Sequence, residues 1–321
     1  MIYGAIAAMA CIDGAEPQAI IGYASKAIDH AGDARALRAR MHLKAGDRDR
    51  ALADLEQVMA EVDDHALTGG EINPRTRSAP CGWSLADLDT LGNDPRGLAA
   101  KALYLSSFVA FGAADRGTVK ESGIRDLLAR SSRSWHSPIP HFLEAKVEGL
   151  GSEHSMTGSR CIRANRGGGA VPEIVNACAK YDEETQHEIR ELTMALVIDP
   201  KFAPALSERA GKYLQLARAS YDDGKPSRRL FQLAINDYSA AIAAGNNDLH
   251  TLYCDRALAL ASIGRYQDSA SGYVQGMKYA KNGIEDSPFV YEQLANLYMK
   301  TGNVDGGEIF PGSGEVIFPT H

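Results

Sequence analysis

Ala234-Ile235-Asn236-Asp237-Tyr238-Ser239-Ala240-Ala241-Ile242 is followed by Tyr253, Arg256-Ala257 and Leu260, then Gly264, then Tyr266, Ala270 and Tyr273. Apolar residues three and four apart share one face of a helix, so this stretch reads as three helices, the last two joined at Gly264. The same order recurs. From Asp33 to His65 come Ala36, Ala39, His42 and Leu43, then Gly46, then Ala51, Leu55, Val58 and Met59. Leu206, Arg209-Ala210 and Tyr213 precede the quoted segment, and Tyr291, Leu294-Ala295, Tyr298 and Gly302 open a further unit. Small side chains at Ala39, Ala210, Ala257 and Ala295 let neighbouring helices touch backbone to backbone, while tyrosines fill the wider gaps. No stretch sustains a period of two. The chain is expected to be all-α, made of antiparallel helix pairs, with no sheet beyond a local hairpin.

Outward from these units, Asp94-Pro95, Ser137-Pro138 and Ser287-Pro288 each set a capping side chain before a proline at the first helical position. Helix pairs are expected at 1–31, 32–65, 95–135, 138–198, 203–246 and 250–282, with a half-repeat from 288. In domain terms this gives N-terminal helix pairs over 1–65 and a connection over 66–94, with a short helix at 84–91. Degenerate helical repeats follow over 95–187, then a C-terminal array over 188–307 and a tail over 308–321. Residues 151–181, rich in Gly, Ser and Arg, read as an insertion splitting one repeat. Its 152–176 portion is expected to be dispensable for folding and cut first by trypsin near Arg160, Arg163 or Arg166. Asp182, Glu183 and Glu184 read as the first turn of the next helix, where acidic groups oppose the macrodipole.

The repeated residues resemble the tetratricopeptide repeat, a helix–turn–helix unit of about 34 residues. Its pattern puts a bulky residue, a Leu-Gly or Arg-Ala pair and a Tyr on the first helix, with Ala, Phe or Tyr, Ala and Pro on the second. Ala195-Leu196-Val197-Ile198-Asp199-Pro200 is similar to the family's helix ending, and Ala234–Ile242 to its second helix. The resemblance covers 33–65 and 188–302; the pairs at 1–31 and 95–135 rest on periodicity alone. It implies a right-handed solenoid with irregular insertions, whose first helices line a concave surface that holds a peptide or protein segment.

Composition narrows the function classes. Across 321 residues the net charge is −7, which disfavours a nucleic-acid partner, since phosphate binding needs a basic face. No run of about 18 apolar residues occurs, so no membrane span is expected. Met1–Cys11 is apolar, and Ala8-Met9-Ala10-Cys11 loosely resembles a lipoprotein cleavage site, but the charged start and longer apolar core of a signal peptide are absent. The expected compartment is cytoplasmic by default, with export as the alternative if the N-terminus is incomplete. The five cysteines are scattered, with Cys254 reading as a small core hydrophobe. Cys161 and Cys178 bracket an irregular stretch and can pair if the chain is exported.

Motifs that carry chemistry are incomplete. Arg160, Arg163 and Arg166 before Gly167-Gly168-Gly169 suit an anion, but the Gly-Lys-Ser/Thr ending and a preceding strand are missing. His187-Glu188-Ile189-Arg190-Glu191 has a glutamate where a zinc-protease helix needs its second histidine. Glu184-Thr185-Gln186-His187 has di-iron spacing but stands alone. No Gly-x-Ser-x-Gly elbow is present. No metal or cofactor is expected. Trp135 reads as cover for the end of a helix pair, with an aromatic ligand anchor as the alternative.

The expected function is therefore a non-enzymatic scaffold for a protein or peptide. The alternative is a regulatory or accessory subunit of an enzyme on another chain; an enzyme using the 151–181 insertion ranks third. The candidate groove lies on the C-terminal first helices. It carries Ser207, Gly211, Leu214 and Gln215, then Thr251, Cys254, Leu258 and Ala261, then Phe289, Glu292, Asn296, Met299 and Lys300. This strip is neutral and partly apolar, with polar groups gathered at the last repeat, and suits an extended peptide with small or apolar side chains. It lacks the paired lysine and asparagine clamp for a chaperone's terminal carboxylate. The competing occupant is the chain's own tail, Glu308–His321, folded back as a cap.

Overall fold

The computed structural model describes residues 7, 10–11, 14–27, 33–61, 85–110, 121–148, 172–219, 221–222, 225–246, 248–280 and 288–301. Within them lie thirteen bounded helices and one hairpin of two-residue strands, as an all-α chain requires. The chain divides into two compact units, Met1–Ser159 with Gln186–Pro200, and Arg160–Thr185 with Lys201–His321.

The first unit contains α1 (Pro17–Ala27), α2 (Asp33–Lys44), α3 (Arg48–Glu61), α4 (Leu85–Asp89), α5 (Pro95–Ala110), α6 (Glu121–Ser132) and α7 (Ile139–Glu148). Consecutive helices pack on one another from α1 to α3, α3 meets α5, and α5, α6 and α7 continue the series. Ala7, Cys11, Ile20, Ala24 and Met41 form one core cluster at its start. The second unit contains α9 (Ala203–Ala219), β1 (Tyr221–Asp222), β2 (Lys225–Pro226), α10 (Arg228–Ala243), α11 (Leu249–Ser262), α12 (Tyr266–Met277) and α13 (Pro288–Thr301). Each of these helices packs on the next. Ala257, Ala270, Tyr273, Val290, Leu294 and Leu297 form one of its core clusters.

Local signals place the helix ends. Gly46 and Gly264 adopt φ values of 78° and 86°, where a Cβ would be strained. Around them Asp47 N–H reaches the His42 carbonyl at 2.8 Å and Arg265 N–H the Leu260 carbonyl at 2.9 Å, while each glycine N–H bonds one residue further in. This pairing satisfies the last helical carbonyls and reverses the chain. Asp94 Oδ1 accepts from Gly97 N–H at 3.3 Å ahead of α5, and Ser137 Oγ accepts from Ile139 N–H at 3.3 Å. The proline after Ser137 stands one residue before α7 rather than inside it, and Ser287 lies outside the described residues.

Three expectations change. Helix α8 runs unbroken from Pro172 to Ile198, beginning within the stretch read as an insertion. Proline at the first position lacks only an N–H that no helix end uses, and the Ala-containing sequence behind it sustains the helix. Asp182, Glu183 and Glu184 accordingly lie in the helix interior, and Glu184 meets Lys180 one turn earlier at 3.3 Å. The third change concerns Ala295, which is exposed whereas Ala39, Ala210 and Ala257 are fully buried. Among the described residues no helix follows α13 to cover it. Residues 151–171 and the tail 308–321 lie outside the described residues, with the trypsin sites and capping role assigned to them.

Candidate functional site

Two helix pairs are each stitched by one arginine–aspartate contact that the periodicity did not reveal. Arg38 on α2 donates through Nε and Nη2 to the two carboxylate oxygens of Asp54 on α3, at 2.8 and 2.5 Å. Arg209 on α9 makes the same fork to Asp237 on α10, at 2.7 and 2.9 Å. Two parallel charge-assisted bonds fix register as well as distance. Hydrogen bonding to Asp54 holds Arg38 above its ordinary pKa against the cost of burial. At Arg209 burial opposes the charge, and Asp237 outweighs it. The sequence signal was present, an Arg before each buried Ala and an Asp before Leu55 and Tyr238, but spacings of 16 and 28 residues concealed its equivalence.

The Arg209–Asp237 contact fixes α9 against α10; α9, α11 and α13 carry the groove candidates. On α9, Ser207 and Gly211 are half-buried and Gln215 is exposed, while Leu214 is only 6% exposed and belongs to the interior. A Cβ at Gly211 would find only the Tyr238 hydroxyl, 3.8 Å away. On α11, Thr251 is exposed and Cys254, Leu258 and Ala261 are half-buried. On α13, Glu292, Met299 and Lys300 are exposed and Asn296 is half-buried; the Phe289 side chain lies outside the described residues. Lys300 Nζ sits 5.1 Å from the centre of the Tyr266 ring, so an incoming ligand competes with that cation–π contact. The exposed surface is thus polar with one thioether, Met299, which is 62% exposed.

Behind the strip lies a carboxylate network. Tyr238 Oη donates to Asp255 Oδ2 at 3.3 Å. Burial pushes Asp255 above the usual aspartate range, and the Tyr238 hydrogen bond only partly offsets it. Burial, then Asp255 and Asp248, push the neighbouring Cys254 thiol up to about 11. Little thiolate exists at neutral pH, so Cys254 supplies no ready nucleophile. In the first unit, His141 Nδ1 lies 2.8 Å from Glu191 Oε2, and burial followed by Glu191 repulsion raises the nearby Glu144. In the sequence Glu191 stands out only as the residue that breaks a zinc-protease motif. Among the described residues no group of three His, Cys, Asp or Glu side chains is arranged to hold a metal ion.

Cys11 and Cys178 are each disulfide-bonded, and Cys254 is a free thiol. No described helix is long and apolar enough to cross a membrane. No family model matches this chain, and no curated protein matches it.

Proposed function

We propose that this chain is a non-enzymatic interaction scaffold, a right-handed solenoid of helix pairs resembling tetratricopeptide repeats, which holds a protein or peptide segment on its concave face. The observation that carries the reading is the consecutive packing of α9 to α13 around Ala210 and Ala257, both fully buried, with Gln215, Thr251, Glu292 and Met299 left exposed on the first helices. Helices that bury their small-residue faces against neighbours and leave first-helix side chains in solvent form an extended surface for a partner. Met299 offers an adaptable apolar contact, and Glu292 and Asn296 orient a polar backbone.

Disulfide bonding at Cys11 and Cys178 supports the exported alternative for its location, because thiols in the cytosol are kept reduced. The partner is then an extracytoplasmic protein or peptide.

Photo-cross-linking tests the surface. A benzoylphenylalanine at Thr251 or Glu292 is expected to trap one stoichiometric partner, while the same group at Gln232, exposed on the second helix α10, traps none. Equal trapping at all three positions, or trapping at Gln232 alone, rules the groove out.

A further inference from the structure

Helix α13 buries one side and presents the other to solvent. Val290, Leu294 and Leu297 pack with Ala270 and Tyr273 of α12 in one core cluster. On the opposite side Glu292, Ala295 and Met299, spaced by three and four residues, are all exposed. Ala39, Ala210 and Ala257 hold the position of Ala295 on α2, α9 and α11, and each of them is fully buried. There the next helix supplies the cover, since α3 packs on α2, α10 on α9 and α12 on α11. Ala295 has the small side chain that such a close approach requires. Beside it Met299 is 62% exposed, an adaptable apolar surface open to a partner.

The charges on this side have a two-fold pattern. Glu292 and Lys300 are both exposed and stand four residues before and four residues after Asn296. Two such helices set antiparallel match Glu292 of each copy to Lys300 of the other. Ala295 of each then lies towards Met299 of the other, so one patch serves both copies, as a closed two-fold pair requires. Lys300 Nζ sits 5.1 Å from the centre of the Tyr266 ring, a contact that leaves its charge unneutralised. Among the described residues neither Glu292 nor Lys300 joins an ion pair. The competing occupant is the chain's own sequence over 302–321. It carries Asp305, Glu308 and Glu315 but no lysine or arginine, so it has no such cation to offer Glu292. A second copy satisfies both charges.

We propose that α13 pairs antiparallel with α13 of a second copy of this chain, which supplies the helix that Ala295 lacks. This rests on the scaffold reading and names the protein segment held at the last repeat; Gln215 on α9 and Thr251 on α11 remain for a different partner. Contact between Ala295 and Met299 of the two copies drives the association, and the two charge pairs fix its direction and register. One helix face is a small interface, so the pair is weak and depends on concentration.

Sedimentation velocity of the full chain over a range of concentrations reads the association. The wild-type sedimentation coefficient is expected to rise with concentration towards that of a dimer. Glu292→Lys turns both charge pairs repulsive, as does Lys300→Glu, and each should weaken association by about tenfold. Mixed in equal amounts, the two variants restore both pairs and should associate at least as tightly as wild type. A wild-type chain that stays monomeric, a dimer indifferent to both reversals, or a mixture no tighter than either variant alone overturns the proposal. Should either reversal fail to fold, as circular dichroism would show, Glu292→Gln decides: association must weaken, and an unchanged dissociation constant overturns the proposal. Because sedimentation of the purified chain reads self-association alone, its failure leaves the groove to be judged by cross-linking at Thr251.

Discussion

Exchanging the methyl group between Gly272 and Ala257 tests the close seam of α11 and α12 on which the second unit depends. Alone, Gly272→Ala brings two Cβ atoms to 3.0 Å, inside the ordinary contact range that begins at 3.4 Å. Neither is the end of a flexible side chain, so the backbones must part, at a typical overpacking cost of about 1–3 kcal/mol. Better helix propensity returns about 1 kcal/mol, leaving a net loss of about 0–2 kcal/mol. Ala257→Gly alone loses a fully buried methyl, worth about 0.8 kcal/mol, and about 1 kcal/mol of propensity. In the double variant the new methyl enters the space the old one left. The overpacking cost disappears, so the coupling between the two sites should be about 1–3 kcal/mol and favourable. Hydrogen exchange read on peptides from α11 and α12 measures this locally. Tryptophan fluorescence does not serve, since Trp83 and Trp135 both belong to the first unit. Effects that add to within about 0.5 kcal/mol, the usual scatter for independent sites, would refute the seam.

Other perturbations reach different parts of the argument. Asp237→Asn keeps the shape of the fork but removes its charge, and should destabilise the second unit by about 1–3 kcal/mol in urea titration; an unchanged midpoint means the pair is not stitching α9 to α10. For Asp255, the folded pKa lies above the unfolded value of 3.8, so the native state holds the proton more tightly. Stability is then lost as pH rises from 3.8 through the raised folded value, and Asp255→Asn should flatten that slope while Oδ1 still accepts from Tyr238. A wild-type midpoint that climbs relative to Asp255→Asn across this window contradicts the assignment. Alkylation of denatured, unreduced protein should label Cys254 and spare Cys11 and Cys178 until reductant is added, as peptide mass mapping would show. Labelling of Cys11 or Cys178 without reductant removes the argument for export.

Much of the fold depends on neighbours a few residues apart, and those parts were legible in the chain. Helical spacing of Ala39, Ala210 and Ala257 foretold which faces are buried, and Gly46 and Gly264 foretold where the chain reverses, because a positive φ is a local demand. Asp94 and Ser137 marked helix starts for the same reason. The start of α8 was also written locally, at Pro172, a residue suited to the first helical position. What the tertiary structure alone decided depends on distance through space. Asp54 and Asp237 meet their arginines across two helices, and the longer link between α9 and α10 hid that they occupy one position. Leu214 shares a periodic face with exposed Gln215 and is buried only because of what packs against it. Ala295 keeps the spacing of the buried alanines yet is exposed, since burial needs a following helix and not merely a pattern. Gly272 is the sharpest case: it stands where Asp54 and Asp237 stand in the other pairs, and only the 3.0 Å approach to Ala257 explains why it is glycine.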